Sequence, residues 1–512
     1  MQEPSVSSPQ ELWGHPKGLY YLFFAELWER FSFYGMRALL TLYMVEEVFV
    51  ALAEKDTVSA IIYSSYGSLV YASPIIGGRL ADQLLGYRRS IMLGGILMAL
   101  GHFVLAIPDN KMAFFIALSF IIAGNGFFKP NISTFVGKLY PDGDTRKDNG
   151  FTIFHMGINI GAMSPIICGW LAGIYGRHYG FALAGFGMLL GLWVFYRGIQ
   201  QGVFQDKGLP PYPEKLEETF WGIKRKVWVP ILSFVSVPGI AYLLSSYSYI
   251  FGGTSPLGEM TLVNVLFILL LVTILVYLIY EMSKVDWVQR KKLIVVILLT
   301  FFMTLFWGFH ELSGSVLTLF AKRNVNLGIW NAEQTNFFNP FFVFLLALPA
   351  AGLWSFLDKR GLNPRTPFKY VLGLVLLGLG FYVLFLSRGA ADASGMVPLF
   401  YLVIMYMFIS MGELCLYPIG LSKVTDLSPA KIVSFMMGVW FLSSAFAFQI
   451  VGIVGKQLAI DEITQGGGEA GGMETLALYT DGFEQITYVI FVGALLALIL
   501  SPLIRNWMRE VH

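Results

Sequence analysis

The sequence predicts an all-α polytopic membrane protein with fourteen spanning helices, and three observations carry the prediction. Of 512 residues, 56% are hydrophobic and only 13% are charged, whereas soluble domains run at about 45–50% apolar and about 25% charged. The apolar residues come in long blocks separated by short polar punctuation, many reaching the roughly 20 residues a helix needs to cross about 30 Å of hydrocarbon. These blocks are also far longer and more uniformly apolar than the alternating strands of about ten residues that build a membrane β-barrel.

Residues 1–17 form a polar tail without a short apolar core or small-residue cleavage site, so no signal peptide is expected to be removed. The first span, 18–48, is apolar except for the charges inside "FFAELWERFSFYG" (23–35). The second, 57–84, holds Pro74 and runs into "GGRLADQLLGYRR" (77–89); the third is 89–107. Lys129 and Pro130 interrupt the fourth, 111–139. Pro165 lies in the fifth, 149–173, and 180–199 completes a first set of six.

A polar, proline-containing stretch, "QQGVFQDKGLPPYPEKLEET" (200–219), precedes two further spans at 227–248 and 257–283. A second set of six then follows at 291–321, 331–357, 366–387, 395–424, 430–457 and 483–508, with Glu311, Glu413, Pro340 and Pro418 inside it. The organisation read from this is a cytoplasmic tail (1–17), a six-helix bundle (18–199), a cytoplasmic linker (200–226), two inserted helices (227–283), and a second six-helix bundle with a short tail (284–512). Pro349 before "WSFLDKRGLNPR" (354–365) echoes Pro74 before the 77–89 loop, weak symmetry of the kind transporter repeats leave. In-span prolines suit bent helices, although membrane helices tolerate proline generally. "QGGGEAGG" (465–472) reads as a flexible linker in an external loop.

Charge sets the orientation, because basic loops are retained on the cytoplasmic side. With the amino terminus inside, 25 of the 35 Lys and Arg residues are cytoplasmic and seven are external, while Arg30, Arg37 and Lys129 lie within spans. An even helix number returns the carboxyl terminus to the same side. The net charge of +2 therefore reflects topology, and no basic face with interleaved aromatics points to nucleic acid. Cys168 and Cys415 sit in spans of different halves, which argues against a disulfide framework or thiolate metal site. No P-loop, nucleophile elbow or H-E-x-x-H motif occurs, and the six histidines are scattered. The chain reads as neither an ATPase nor another enzyme, so any energy for work comes from an ion gradient.

Ionisable residues inside spans cost several kcal/mol unless they are paired or face a cavity, so each is a pathway candidate. Glu26, Glu29, Arg30, Phe33, Tyr34 and Arg37 follow helical spacing and share one face. A plainer reading is a self-contained Glu29–Arg30 structural pair, but it leaves Lys129, Glu311 and Glu413 unexplained. For Lys129 the plainer reading is snorkelling; for the two carboxylates it is a bond to neighbouring backbone.

The residues that carry a resemblance are now in hand. Gly78 to Arg89, with G-x-L-A-D followed by G-x-[R/K], resembles the loop motif of the major facilitator superfamily. "ELWERFSFYG" (26–35) resembles the E-x-x-E-R-F-x-Y-Y-G signature of proton-dependent oligopeptide (POT) transporters. "FFKPNISTFVG" (127–137), "FHMGINIGA" (154–162), "FWGFHELSGSVLTLFA" (306–321) and "GELCLYPIGLSKVT" (412–425) resemble further signatures of that family, in order from residue 13 to 508.

The resemblance implies a major facilitator fold of two six-helix bundles, with the two extra helices that bacterial members insert. It also implies proton-coupled symport of di- and tripeptides into the cytoplasm across a bacterial inner membrane, by alternating access about a central site. No cofactor is implied, since the proton gradient drives the cycle, and the partners are peptide, protons and the lipid bilayer, without nucleic acid or ATP. Arg37 and Lys129 would hold the substrate carboxylate, and Glu413, Asn159 and Asn336 the amino terminus and peptide bond. Phe33, Tyr34, Tyr71, Trp307, Trp440 and Ser444 stand at substrate-lining positions, although helix packing serves any single aromatic equally well. Proton coupling would rest on an Arg37–Glu311 bridge between the halves, and on Glu26, Glu29 and Arg30 near Lys129. Asp82, Arg88 and Arg89 would serve conformational switching, pairing with helix ends of the neighbouring bundle; positive-inside retention also accounts for both arginines.

Departures from the family pattern are equally informative. Ser64 stands where many members have a histidine, Phe33 where tyrosine is usual, and His155 where the family has tyrosine. His310 precedes Glu311 where relatives have an apolar residue; a helix sets it about 100° away, and both packing and a pH-sensing role fit it. The rival functions are nitrate or another small anion as cargo in the same superfamily, then a channel or receptor, then a membrane-embedded enzyme. An anion needs no ammonium pocket, paired charges in both halves suit a cycle better than a pore, and no nucleophile–base constellation is present.

Overall fold

The computed structural model describes residues 11–141, 144, 146–248, 260–429, 432–461 and 471–508. Eighteen α-helices occur among them. They are α1 (Lys17–Tyr43), α2 (Lys55–Ala72), α3 (Pro74–Leu80), α4 (Gly86–Leu105), α5 (Lys111–Lys138), α6 (Lys147–Ala162), α7 (Pro165–Tyr175), α8 (Arg177–Gln200), α9 (Pro213–Glu217), α10 (Arg225–Ser245) and α11 (Leu262–Ser283). The remainder are α12 (Trp287–His310), α13 (Val316–Asn324), α14 (Phe338–Lys359), α15 (Thr366–Leu386), α16 (Leu399–Leu427), α17 (Val433–Gln457) and α18 (Gly472–Met508).

Twelve stretches among the described residues are long and apolar enough to cross a membrane. One of them, Lys55–Leu105, is 51 residues long and holds two crossings, α2–α3 and α4. α1, 27 residues long, falls outside the twelve because its charges break every apolar window. With these two the fourteen expected spans are accounted for in a multi-pass, all-helical membrane fold.

The packing divides the chain into two compact units, residues 1–36 with 73–241 and residues 37–72 with 242–512. α1 and the second span each contribute to both, so the segment 37–72 packs with the later half of the sequence. In the first unit α4 and α5 cross at glycines: a Cβ on Gly94 would lie 2.6 Å from the Gly124 carbonyl oxygen, and the converse distance is the same. Small residues at such a crossing let backbones approach closely, which is how helices gain van der Waals contact in lipid. Gly94→Val is therefore expected to cost about 1–3 kcal/mol through overpacking, read as a lower melting temperature in detergent. An unchanged melt would show that the crossing does not depend on the close approach.

Prolines place the breaks. Pro74 opens α3 and Pro165 opens α7, each at a first helical turn where its missing N–H costs nothing, so both spans are built from two helical pieces. Pro130 instead stays inside α5, where the Asn131 side-chain amide donates to Phe127 O at 2.7 Å and reaches Gly77 O at 3.4 Å. The core of this unit gathers Leu19, Leu22, Met98, Phe128, Phe135 and Phe195. In the second unit Phe320, Tyr479 and Phe483 pack ring on ring, with Phe381 against Phe483.

The inserted helices are anchored separately. α10 sets Phe234 against Phe120 of α5, and α11 holds α17 through Asn264 Nδ2 donating to Gln449 Oε1 at 2.6 Å and through ring contacts Phe267–Phe446 and Tyr277–Phe435. Only 28% and 22% of their most apolar stretches is buried, so their remaining surface suits lipid.

Two expectations change in detail, and a third is not tested. The last helix begins at Gly472, well before the expected 483, because Glu474, Asp481 and Glu484 sit on polar turns that precede the apolar run and are compatible with helix; Arg388 pairs with Asp481 there at 2.8 Å. Residues 465–470 of the expected glycine linker lie outside the described residues. The 200–226 linker contains α9 and a two-residue hairpin, β3 (Thr219–Phe220) with β4 (Ile223–Lys224). Hydrogen bonds from Lys224 and Lys226 hold the Glu217 carboxyl down at about 2. At the amino-terminal end, β1 (Glu11–Leu12) pairs with β2 (His15–Pro16). Arg146 pins this segment by binding Glu11 and Asp144 at 2.8 Å each, and its hydrogen bonds keep the Asp144 carboxyl at about 2.

Candidate functional site

Each compact unit carries its own buried charge cluster. In the first, Arg30 lies between the carboxylates of α1: its Nε is 3.1 Å from Glu26 Oε1 and also contacts Glu29 Oε2. All three are buried, with Glu26 2%, Glu29 0% and Arg30 3% exposed. One guanidinium cannot neutralise two carboxylates. The balance comes from Lys129, half-buried beside Pro130 in α5, which acts electrostatically on both. Among the described residues nothing donates to Glu26 Oε2 or Glu29 Oε1, so each buried carboxylate keeps an oxygen open to a proton. Phe33 packs edge-to-face on Tyr34 at 5.5 Å and stands 5.5 Å from the Arg30 guanidinium, close enough for a cation–π contact.

The second cluster is organised by an interruption. α12 ends at His310, a single 3₁₀ turn spans Glu311–Gly314, and α13 resumes at Val316. A short 3₁₀ piece inside a long helical run marks a local break of α-geometry, and this one delivers Glu311 onto Arg37 of α1, where the two form a buried ion pair. Arg37 Nε also donates to Tyr63 Oη of α2 at 2.8 Å, and Nη2 to Ser313 Oγ at 3.3 Å. Thr41 Oγ1 donates to the Gly314 carbonyl at 2.7 Å. Glycine is needed at 314: a Cβ there would come within 2.1 Å of Tyr63 Oη and 2.9 Å of Arg37 Nε. Glu413 on α16 lies beside the same turn. Its Oε2 is 3.3 Å from His310 Nε2 and accepts a long 3.4 Å bond from Asn339 Nδ2, which also donates to Ser410 Oγ at 3.0 Å.

Other expected site residues have mixed surroundings. Asn159 donates to the His155 carbonyl of its own helix at 3.0 Å. Asn336 donates to Thr318 Oγ1 at 3.0 Å and so braces α13. Tyr71 stacks on Phe448 at 5.6 Å, Trp307 packs edge-on against His310 at 4.6 Å, and Ser444 is half-buried on α17. Trp440 is 3% exposed and covers Gly420, a packing position. In the 77–89 loop, Asp82 accepts from Tyr87 Oη at 3.0 Å. Arg88 does not pair with it: its guanidinium binds the carbonyls of Gln205 and Lys207, the latter at 2.8 Å, and so fastens the start of the linker within the same unit. Arg89 is exposed.

Sequence reasoning missed Tyr63, Ser313 and Asn339. The first two carry no signal, since hydroxyls abound in these spans. Asn339, one turn after Asn336 in an apolar run, is uncharged and so escaped the criterion that singled out the in-span charges. Sequence reasoning also passed over Arg323, which binds buried Asp56 bidentately at 2.5 and 2.8 Å and Tyr479 Oη at 2.8 Å. Asp56 accepts from Ile460 N at 3.1 Å, and Asp461 returns the bond by accepting from Asp56 N at 3.0 Å.

Comparison with known proteins agrees with this arrangement. A family model described as "PTR2: POT family" matches residues 88–466. The chain is 36% identical to an uncharacterized transporter, YclF, of Bacillus subtilis, over 99% of this chain and 98% of that protein. It is 35% identical to a di-/tripeptide transporter of Lactococcus lactis subsp. lactis, covering 84% of this chain and 87% of the relative. Among solved structures, a peptide transporter POT in complex with sulfate superposes with a TM-score of 0.80 at 33% identity, covering 98% and 97% of the two chains.

Proposed function

Because the chain belongs to the POT family, we propose that it is a symporter that carries di- and tripeptides into the cytoplasm together with protons, by alternating access. The observation that supports this most directly is that buried charge pairs are present in each compact unit, Arg30 with Glu26 and Glu29 in one and Arg37 with Glu311 in the other. A short peptide always presents an ammonium and a carboxylate, whatever its side chains, so a carrier that reads its ends needs poles of both signs.

In this reading Arg37 and Lys129 take the peptide carboxylate. Glu413, held by Asn339, takes the ammonium, and Asn159 and Asn336 serve the amino end and the peptide bond. Phe33, Tyr34, Tyr71, Trp307 and Ser444 offer broad side-chain contacts. Arg37 is engaged by Glu311 until a proton neutralises that carboxylate; Arg37 is then released, an exchange that couples proton to peptide. Glu26 and Glu29, competing for Arg30 and Lys129, form a second proton-sensitive group. Arg88 and Asp82 order the 77–89 loop through which the conformational change is relayed. The proton gradient supplies the energy without a cofactor, both termini are cytoplasmic, and the membrane is a bacterial inner membrane. The two sets of six spans are the moving parts, with α10 and α11 inserted between them. Nitrate as cargo is not favoured, since it has no use for Glu413 and its amide support.

The test is uptake of labelled dialanine into proteoliposomes, with and without an inward proton gradient and again with a protonophore. Accumulation that needs the gradient and collapses with protonophore is the expected result. Nitrate flux with no peptide flux would overturn the substrate assignment.

A further inference from the structure

The imidazole of His310 is buried, with 7% of its side chain exposed, between two carboxylates. Nε2 is 3.3 Å from Glu413 Oε2, and Nδ1 is 4.0 Å from Glu311 Oε1. Trp307, edge-on at 4.6 Å, and Phe306, tilted at 5.8 Å, fix the ring from its own helix. Among the described residues no other charged group lies within ion-pair distance. Arg37 and Tyr63 stand beyond Glu311, and Tyr406 of α16 belongs to the same surroundings, since it interacts electrostatically with both.

These positions assign the tautomer. A neutral ring whose Nε2 faces a carboxylate carries its proton there, which leaves Nδ1 as a lone-pair acceptor. Nδ1 then faces Glu311, another acceptor while that residue is ionised and bound to Arg37; neither ring nitrogen makes a hydrogen bond in this arrangement, with Nε2 lying 3.3 Å from Glu413 Oε2. A buried nitrogen without a partner calls for an explanation. Protonated Glu311 provides one: it becomes a donor, releases Arg37, and finds Nδ1 about 1 Å beyond hydrogen-bond length.

We propose that His310 is a positioning residue that links the protonation of Glu311 to Glu413: neutral Glu311 donates its O–H to Nδ1 while Nε2–H holds Glu413. The proton stays on Glu311 in this step. One hydrogen bond, Glu311 O–H to Nδ1, replaces the Arg37–Glu311 ion pair, and no bond within either residue breaks. The carboxylate freed from Arg37 and the carboxylate that takes the peptide ammonium are thereby tied to one ring, so a single proton readies both poles. The inference rests on the transport reading above and adds the route by which its two poles communicate.

The test uses H310F and H310Q in proteoliposomes beside the parent chain. Phe removes both ring nitrogens and with them the link, whereas Gln keeps a donor and an acceptor that can partly replace them. Dialanine exchange at equal pH on both sides reads peptide binding and carriage, and uptake under an imposed pH difference reads coupling. The expected result for H310F is gradient-driven accumulation reduced about tenfold, a larger loss than that of equal-pH exchange, with partial recovery of accumulation in H310Q. Folded H310F, or H310L in its place, that keeps the parent's accumulation would overturn the proposal, as would H310Q that accumulates no better than H310F. A parent chain that neither exchanges nor accumulates dialanine would instead overturn the peptide-transport reading, so the two failures are distinguishable.

Discussion

Glu311→Gln is expected to abolish accumulation of peptide against its gradient while leaving peptide exchange in place. Glutamine has the shape of a protonated glutamate, so it leaves Arg37 permanently released yet still surrounded by Tyr63 Oη at 2.8 Å and Ser313 Oγ at 3.3 Å. Fold and binding should therefore survive. The loss is the ability to alternate between a charged and a neutral state. A pH difference of one unit is worth about 1.4 kcal/mol per proton, or about tenfold accumulation at one proton per peptide. In the variant the internal-to-external ratio should fall to about one however steep the imposed gradient. Vesicle uptake at several imposed pH differences, with counterflow measured in the same preparation, reads both quantities. Parent-like accumulation would remove Glu311 from the coupling machinery.

Truncating Asp56 to Ala should produce the largest loss of stability among single surface-loop or helix-end changes. Asp56 is 1% exposed and takes both nitrogens of a guanidinium whose own side chain is 20% exposed, and it caps the chain at Ile460. Removing one partner of a buried ion pair costs about 3–5 kcal/mol because the other charge is left uncompensated; partial solvation of Arg323 places the effect near the lower end. The measurement is thermal or denaturant unfolding in detergent, followed by the double variant Asp56→Ala with Arg323→Leu. The double variant should recover part of the loss, since the two effects share one interaction. An Asp56→Ala protein as stable as the parent would mean that Arg323 is adequately served by Tyr479 and solvent.

Legibility differed sharply between elements. Span number and order were readable because crossing a bilayer imposes a length and an apolarity that 20-residue blocks display directly. The prolines at 74 and 165 announced breaks that the chain makes, while Pro130 sits inside an uninterrupted α5. In-span charges were legible as candidates because each is costly in hydrocarbon. Their partners were legible only where they share a helix: Glu26, Glu29 and Arg30 fall on one face of α1 by spacing alone.

By itself, then, the sequence determined that this is a helical membrane protein, how many times it crosses, which residues carry buried charge, and, through ordered motifs, which family it joins. The first three follow from local composition and periodicity, which act over a few turns of helix, and the last from the motifs the chain shares with that family. Only the tertiary structure decided that Arg323 belongs to Asp56, that Arg88 fastens the linker at Gln205 and Lys207, that Asn339 supports Glu413, and that His310 lies between two carboxylates. Those pairings join residues far apart in the chain. Which polar groups meet depends on helix crossings set by close approaches such as Gly94 on Gly124 and by the 3₁₀ turn after His310, and a one-dimensional pattern does not encode the distance between two helices.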